Sequence, residues 1–77
     1  MKDKILVIGA LGQVGTDLVE KLTEIYGEST VVASDIRHPR EEQFNFEKLD
    51  VLNKKEIGNI FTRHKPTHVY HLAAMLS

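Results

Sequence analysis

Three glycines stand at Gly9, Gly12 and Gly15, directly behind four apolar residues, Ile5 to Ile8. Glycines so placed suit one chemistry well. The chain must reverse tightly and bring backbone N–H groups against an anion, where any Cβ would intrude. A helix that follows adds unpaired N–H donors and partial positive charge at its N-terminus. Strand, glycine turn and helix, in that order, form a cradle for the pyrophosphate of a dinucleotide. The same glycines would also serve a plain strand-to-helix turn. The spacing is G-x-x-G-x-x-G rather than G-x-G-x-x-G, with Ala10 following the first glycine. No Gly-Lys-Ser/Thr follows, which excludes a Walker P-loop, and the G-x-G of a kinase loop is absent.

Asp35 lies 20 residues beyond Gly15, at the end of a β-branched run. An acidic side chain there can accept hydrogen bonds from adenosine ribose hydroxyls and repel a 2′-phosphate, which favours NAD over NADP. Arg37 pulls the other way, because a basic residue nearby can accommodate that phosphate. An exposed turn residue is the alternative role for Asp35. Asp50-Val51 follows the next strand; the carboxylate could accept from an adenine amino group while Val51 packs on the ring, or Asp50 could simply shape a turn. Leu72, Ala73 and Ala74 end the last strand beside the first, where small side chains let a dinucleotide cross the strand ends or let backbones pack closely. His64, His68 and His71 do not suggest a metal site: Pro66 separates the first from the strand, and residues three apart on a strand point to opposite faces.

These residues need a scaffold. Ile5 to Ile8 reads as a buried parallel strand, and Gly12 to Tyr26 as a helix with Val14, Leu18, Leu22 and Ile25 on one apolar stripe. Gly27 is placed to close that helix as a left-handed cap. Thr30 to Ser34 reads as a second strand. The polar segment Arg37 to Gln43 reads as a loop, and Phe44 to Leu49 as a short third strand. Asn53-Lys-Lys-Glu56 fits a capping box. It opens a second helix with Ile57, Ile60, Phe61 and His64 on one face, which Pro66 ends. Thr67 to Leu72 is the fourth strand. The order β-α-β-β-α-β predicts an α/β fold with a mainly parallel sheet in the order 3-2-1-4.

Composition sets the limits. With 77 residues, ten basic against eleven acidic side chains and no cysteine, the chain is near neutral and has no disulfide. That balance gives no support for a nucleic-acid or anionic-membrane partner. The apolar run at the start is too short for a signal peptide or a membrane span, so a cytoplasmic protein is expected. A complete doubly wound domain needs two βαβαβ halves. Residues 1–77 are therefore expected to form the N-terminal part of an incomplete Rossmann domain, whose fourth strand offers an edge for self-association.

The four elements G-x-x-G-x-x-G (Gly9, Gly12, Gly15), Asp35, Asp50-Val51 and His71-Leu-Ala-Ala74 together resemble the extended short-chain dehydrogenase/reductase superfamily, which includes nucleotide-sugar epimerases and dehydratases. Ile8 departs from the pattern, since many epimerases have Thr there. Ile8-Gly-Ala-Leu-Gly-Gln-Val-Gly15, Ala33-Ser-Asp-Ile-Arg37 and His71-Leu-Ala-Ala-Met-Leu-Ser77 look most like the NAD-dependent L-threonine 3-dehydrogenases of this type. The resemblance implies NAD as cofactor, held by Gly9, Gly12, Gln13, Val14, Gly15, Asp35, Ile36, Arg37, Asp50, Val51, Leu72, Ala73 and Ala74, with Ser77 near a small-molecule substrate. It implies oxidation of the threonine 3-hydroxyl and, by family habit, a homodimer. The Tyr-x-x-x-Lys pair such enzymes use is not present: Thr30 stands four residues after Tyr26, and Ala74 four after Tyr70. No catalytic residue is assigned, and these residues alone are expected to be inactive. A nucleotide-sugar epimerase or dehydratase shares every one of these motifs, and a non-catalytic NAD-binding protein would also carry them.

Overall fold

The computed structural model describes residues 3–39 and 45–72. In chain order it contains β1 (Ile5–Ile8), α1 (Gln13–Tyr26), a 3-10 turn (Glu28–Thr30), β2 (Val31–Asp35), β3 (Phe46–Lys48), α2 (Lys54–His64) and β4 (His68–His71). The strands form one sheet in the order β3-β2-β1-β4, as expected from the sequence. Every pairing is parallel: Ile5 lies opposite Val31 on one side and His68 on the other, and Ala33 lies opposite Phe46. Parallel strands need crossover connections; α1 carries the chain from β1 to β2, and α2 carries it from β3 to β4.

The pleat sorts β1 onto two cores. Ile5 and Val7 join Ala10, Leu22, Val31, Ala33 and Leu72, with Leu18, Val19 and Phe46 packed alongside. Leu6 and Ile8 join Val32, Leu49 and Ile60, with Val51 and Ile57 alongside. Successive side chains on a strand point to opposite faces, so α1 covers one face and α2 the other. That is why the strand reads as an unbroken apolar run rather than an alternating one.

Helix α1 departs from the expected stripe. Leu22 is buried and Leu18 half-buried, but Val14 and Ile25 are 56% and 62% exposed. The cause is Gly15. Its Cα side faces the backbone of Gly9 and Ala10 at close range, which fixes the rotation of the helix. At about 100° per residue, Gly15, Leu18, Val19 and Leu22 then face the sheet, while Val14 and Ile25 turn outward. Gly12 is the N-cap rather than the first helical residue. Gly27 caps the other end by donating to Thr23 O, with φ 91° and ψ 155°, so it has positive φ but is not the left-handed cap expected.

Helix α2 starts as the sequence predicts, with Asn53 Oδ1 accepting from the N–H groups of Lys55 and Glu56. Glu56 differs from an ordinary capping box. It accepts from Asn53 Nδ2 at 2.8 Å and from Asp50 N at 3.3 Å, because Asn53 N already donates to Asp50 O. Lys65 ends the helix in the left-handed region, and Pro66 bars the right-handed one. Strand limits shift slightly. Thr30 belongs to the 3-10 turn and Asp35 to β2, while Thr67 and Leu72 flank β4 rather than extend it. Phe44, the expected start of β3, lies outside the described residues.

Candidate functional site

The C-terminal ends of β1, β2 and β3 meet the N-terminus of α1 around a cleft of about 340 Å³. Ile8, Gly9, Gly12, Asp35, Ile36, Arg37, Leu49, Asp50, Val51 and Leu52 line it. In an open parallel sheet, this end of the strands is where ligands bind. The volume is near the lower limit for small-molecule pockets. Its walls are apolar, and two carboxylates, Asp35 and Asp50, stand among them.

The glycine turn divides into two halves with different duties. Gly9 has φ 90°, a conformation L side chains rarely adopt. Gly9 N and Ala10 N both donate to Ser34 O at 2.9 Å, and Leu11 N donates to Asp35 Oδ2 at 3.0 Å. These three donors therefore tie the turn to β2. The next donors lie in the first turn of α1, where Gln13, Val14 and Gly15 precede the first intrahelical bond, from Thr16 N to Gly12 O, and so have no intrahelical acceptor. Gly12 is extended at φ −71° and ψ 170°, a conformation open to any residue, and lines the cleft as the N-cap of α1. Gly15 is a packing glycine: a Cβ there would fall 2.4 Å from Gly9 O and 2.8 Å from Ala10 Cα.

Asp35 is 4% exposed yet belongs to the cleft. Besides Leu11 N, it accepts from Arg37 N at 3.0 Å, Arg37 Nε at 3.1 Å and Arg37 Nη2 at 3.3 Å. Burial alone would push the Asp35 carboxyl up. The Arg37 guanidinium, then the N–H groups of Arg37 and Leu11, outweigh burial and hold it below the usual aspartate value. It is a carboxylate at neutral pH and an acceptor only. Asp50 serves as a turn former as well as a cleft residue, since its Oδ1 accepts from Leu52 N at 2.9 Å.

Of the residues named from sequence, Gly9, Gly12, Asp35, Ile36, Arg37, Asp50 and Val51 come together on the cleft. Gln13, Val14 and Gly15 lie beyond its rim, on the first turn of α1. Leu72 is buried in the core beneath α1 rather than presented to the cleft. Ala73, Ala74 and Ser77 lie outside the described residues. Sequence reasoning misses Leu49, Leu52 and Ser34. Leu49 is 1% exposed and forms part of the cleft floor, signalled only by following a short strand. Ser34 is fully buried, donates from Oγ to Val7 O at 2.8 Å and receives the turn at its carbonyl. Its one signal is a lone polar residue in a β-branched strand. Among the described residues no group of three His, Cys, Asp or Glu is arranged to hold a metal ion, and no helix is long and apolar enough to cross a membrane.

Known proteins with this sequence and shape agree closely. The sequence pattern of the NAD dependent epimerase/dehydratase family matches residues 5–77. An uncharacterized epimerase/dehydratase of Staphylococcus haemolyticus is 44% identical over 79 residues, covering 97% of this chain and 25% of its own length. A counterpart from Staphylococcus aureus is 41% identical, with 96% of this chain and 24% of its own length covered. Among solved structures, the L-threonine dehydrogenase of Clostridium difficile superposes with TM-score 0.84 at 38% identity, over 90% of this chain and 23% of that one. The L-threonine 3-dehydrogenase of Trypanosoma brucei superposes with TM-score 0.87 at 36% identity, over 92% and 24%. The chain thus spans about a quarter of the length of the curated relatives it matches. It belongs to the NAD dependent epimerase/dehydratase family.

Proposed function

We propose that this chain is the NAD-binding part of an oxidoreductase that converts L-threonine to 2-amino-3-oxobutanoate. The observation that carries the cofactor reading is Asp35: an acceptor-only carboxylate at the end of β2, on the cleft into which Gly9 and Gly12 open. A carboxylate in that position suits a ribose diol. The first turn of α1 would take the pyrophosphate on the N–H groups of Gln13, Val14 and Gly15, aided by the helix dipole. Val51, Leu49 and Ile36 would flank an adenine ring, with Asp50 at its edge. NAD, once bound, supplies the hydride acceptor.

The chain's own contribution is binding and orientation. The bonds from Gly9, Ala10 and Leu11 to β2 hold the turn rigid, so the α1 donors keep a fixed distance from Asp35. Preorganised donors of this kind cost nothing to align when the anion arrives.

Threonine as substrate rests on likeness: the solved structures compared above are those of L-threonine dehydrogenases. The curated relatives are named epimerase/dehydratase, which supports the second reading, a nucleotide-sugar enzyme with the same cofactor site. Incubating the full-length protein with NAD and L-threonine decides between them. NADH formation is expected; NAD binding without NADH formation would remove the threonine reading and leave the second.

A further inference from the structure

The chain's own donors saturate the Asp35 carboxylate. A carboxylate has about four lone-pair sites, and four protein hydrogen bonds fill them: Leu11 N, Arg37 N, Arg37 Nε and Arg37 Nη2. A ribose diol needs two of those sites. The Leu11 N–H is held by a turn anchored to Ser34 O, and the Arg37 N–H belongs to the backbone just past β2. Only the guanidinium can withdraw, because the Arg37 side chain is 61% exposed and reaches Asp35 from solvent.

We propose that Arg37 is a competitive occupant of the ribose site, its guanidinium standing on Asp35 where the adenosine diol must go and leaving when the diol takes its place. The inference rests on the dinucleotide reading above and goes beyond it. Nε and Nη2 offer two parallel donors to the two carboxylate oxygens, the same pattern as two adjacent hydroxyls. The exchange is therefore hydrogen bond for hydrogen bond. What is lost is the ion pair, so Arg37 lowers apparent NAD affinity by the fraction of time it holds the site. The displaced cation remains tethered two residues from Asp35, beside the carboxylate that would take the ribose diol. There it meets nothing on NAD but a phosphate on NADP. One residue thus weakens the preferred cofactor and softens the rejection of the other.

Titration calorimetry of the full-length protein with NAD and with NADP tests this, using Arg37→Ala and the uncharged donor Arg37→Gln beside the wild type. An ion pair whose cation is largely exposed to solvent corresponds to at most about a fivefold effect. Arg37→Ala is expected to bind NAD up to about fivefold tighter and NADP more weakly, so the NAD-to-NADP preference rises. Arg37→Gln should fall between. Raising the salt concentration should shrink the difference between wild type and Arg37→Ala, since salt screens the pair that the diol displaces. Equal or weaker NAD binding by Arg37→Ala and Arg37→Gln, with the wild type still binding, overturns the proposal and leaves the cofactor reading standing. Absence of dinucleotide binding in all three proteins overturns both. Should Arg37→Ala not fold, Arg37→Gln and the wild-type salt series decide.

Discussion

Gly15 on α1 and the carbonyl oxygen of Gly9 are so close that a Cβ on Gly15 would lie 2.4 Å from it. The same Cβ would lie 2.8 Å from Ala10 Cα and 2.9 Å from Ala10 C. All three atoms belong to backbone, and that backbone is fixed by two bonds to Ser34 O, so it has nowhere to yield. Gly15→Ala should therefore destabilise the fold by about 1–3 kcal/mol, read from urea unfolding. Dinucleotide affinity should fall with it, because the helix and the turn would move apart. A loss below about 0.5 kcal/mol, within the range of ordinary surface substitutions, would show that the contact is softer than the geometry indicates.

Gly58 makes the opposite case. It lies inside α2, and a Cβ added there would meet nothing within 4 Å. Alanine in an open helix interior removes backbone freedom from the unfolded chain without a steric cost. Gly58→Ala should stabilise by about 0.5–1 kcal/mol, seen as a higher urea midpoint at unchanged slope. No gain would mean that the exposed face of α2 is covered in solution.

Asp35→Asn separates charge from shape. The amide can accept at one oxygen only, so its nitrogen must face an N–H donor, either Leu11 or Arg37. The variant should lose about 1–3 kcal/mol at neutral pH and bind NAD much more weakly. The sign with pH follows from the low Asp35 value: stability from a depressed carboxyl is present above the unfolded-state value and disappears as pH falls through the folded one. Wild type and Asp35→Asn should converge in strongly acidic solution. Persistent separation there would show that packing, not charge, carries the difference.

Glu47 ties the edge strand β3 to the end of α2. Its Oε2 lies 2.6 Å from His64 Nε2 and also accepts from Arg63 Nη1. Burial raises the Glu47 carboxyl, but the bonds from His64 and Arg63 more than reverse it, leaving the value below that of an ordinary glutamate. Its contribution is complete above the ordinary glutamate value and is lost as pH falls through the depressed one. Because Arg63 is largely exposed, that contribution is roughly 0.5–1 kcal/mol after screening. Thermal melts of wild type and Glu47→Gln from neutral to acidic pH should show a gap that closes only in acid. A constant gap would assign the difference to shape alone.

The sequence carries much of this architecture openly. Four consecutive apolar residues at Ile5 to Ile8 announce a strand covered on both sides, and the Asp35 spacing places the carboxylate on the right strand end. Asn53 and Glu56 mark the start of α2 correctly. The sequence is less explicit where a tertiary contact sets the geometry. Val14 and Ile25 have helical spacing with Leu18 and Leu22, yet the close approach at Gly15 rotates them away from the sheet. Leu72 follows the last strand in sequence but turns into the core. Ser34 gives no periodic signal, because its role depends on two N–H groups that arrive from a turn far earlier in the chain. The Asp35–Arg37 pair is hidden for a similar reason: spacing shows that they are neighbours, not that one occupies the other's acceptors.

The strand order has a consequence for how the chain comes to be folded. β1 is synthesised before either of its partners, which lie 26 and 63 residues further on, at Val31 and His68. Its most apolar residues must therefore wait on both flanks, one side until β2 exists and the other until β4 does. Such distant parallel pairings close slowly. During that interval Ile5 to Ile8 is a bare, uncharged, β-prone segment, the kind that sticks to its copies. The segment that leads into the glycine turn is thus also one in need of protection while the ribosome is still at work.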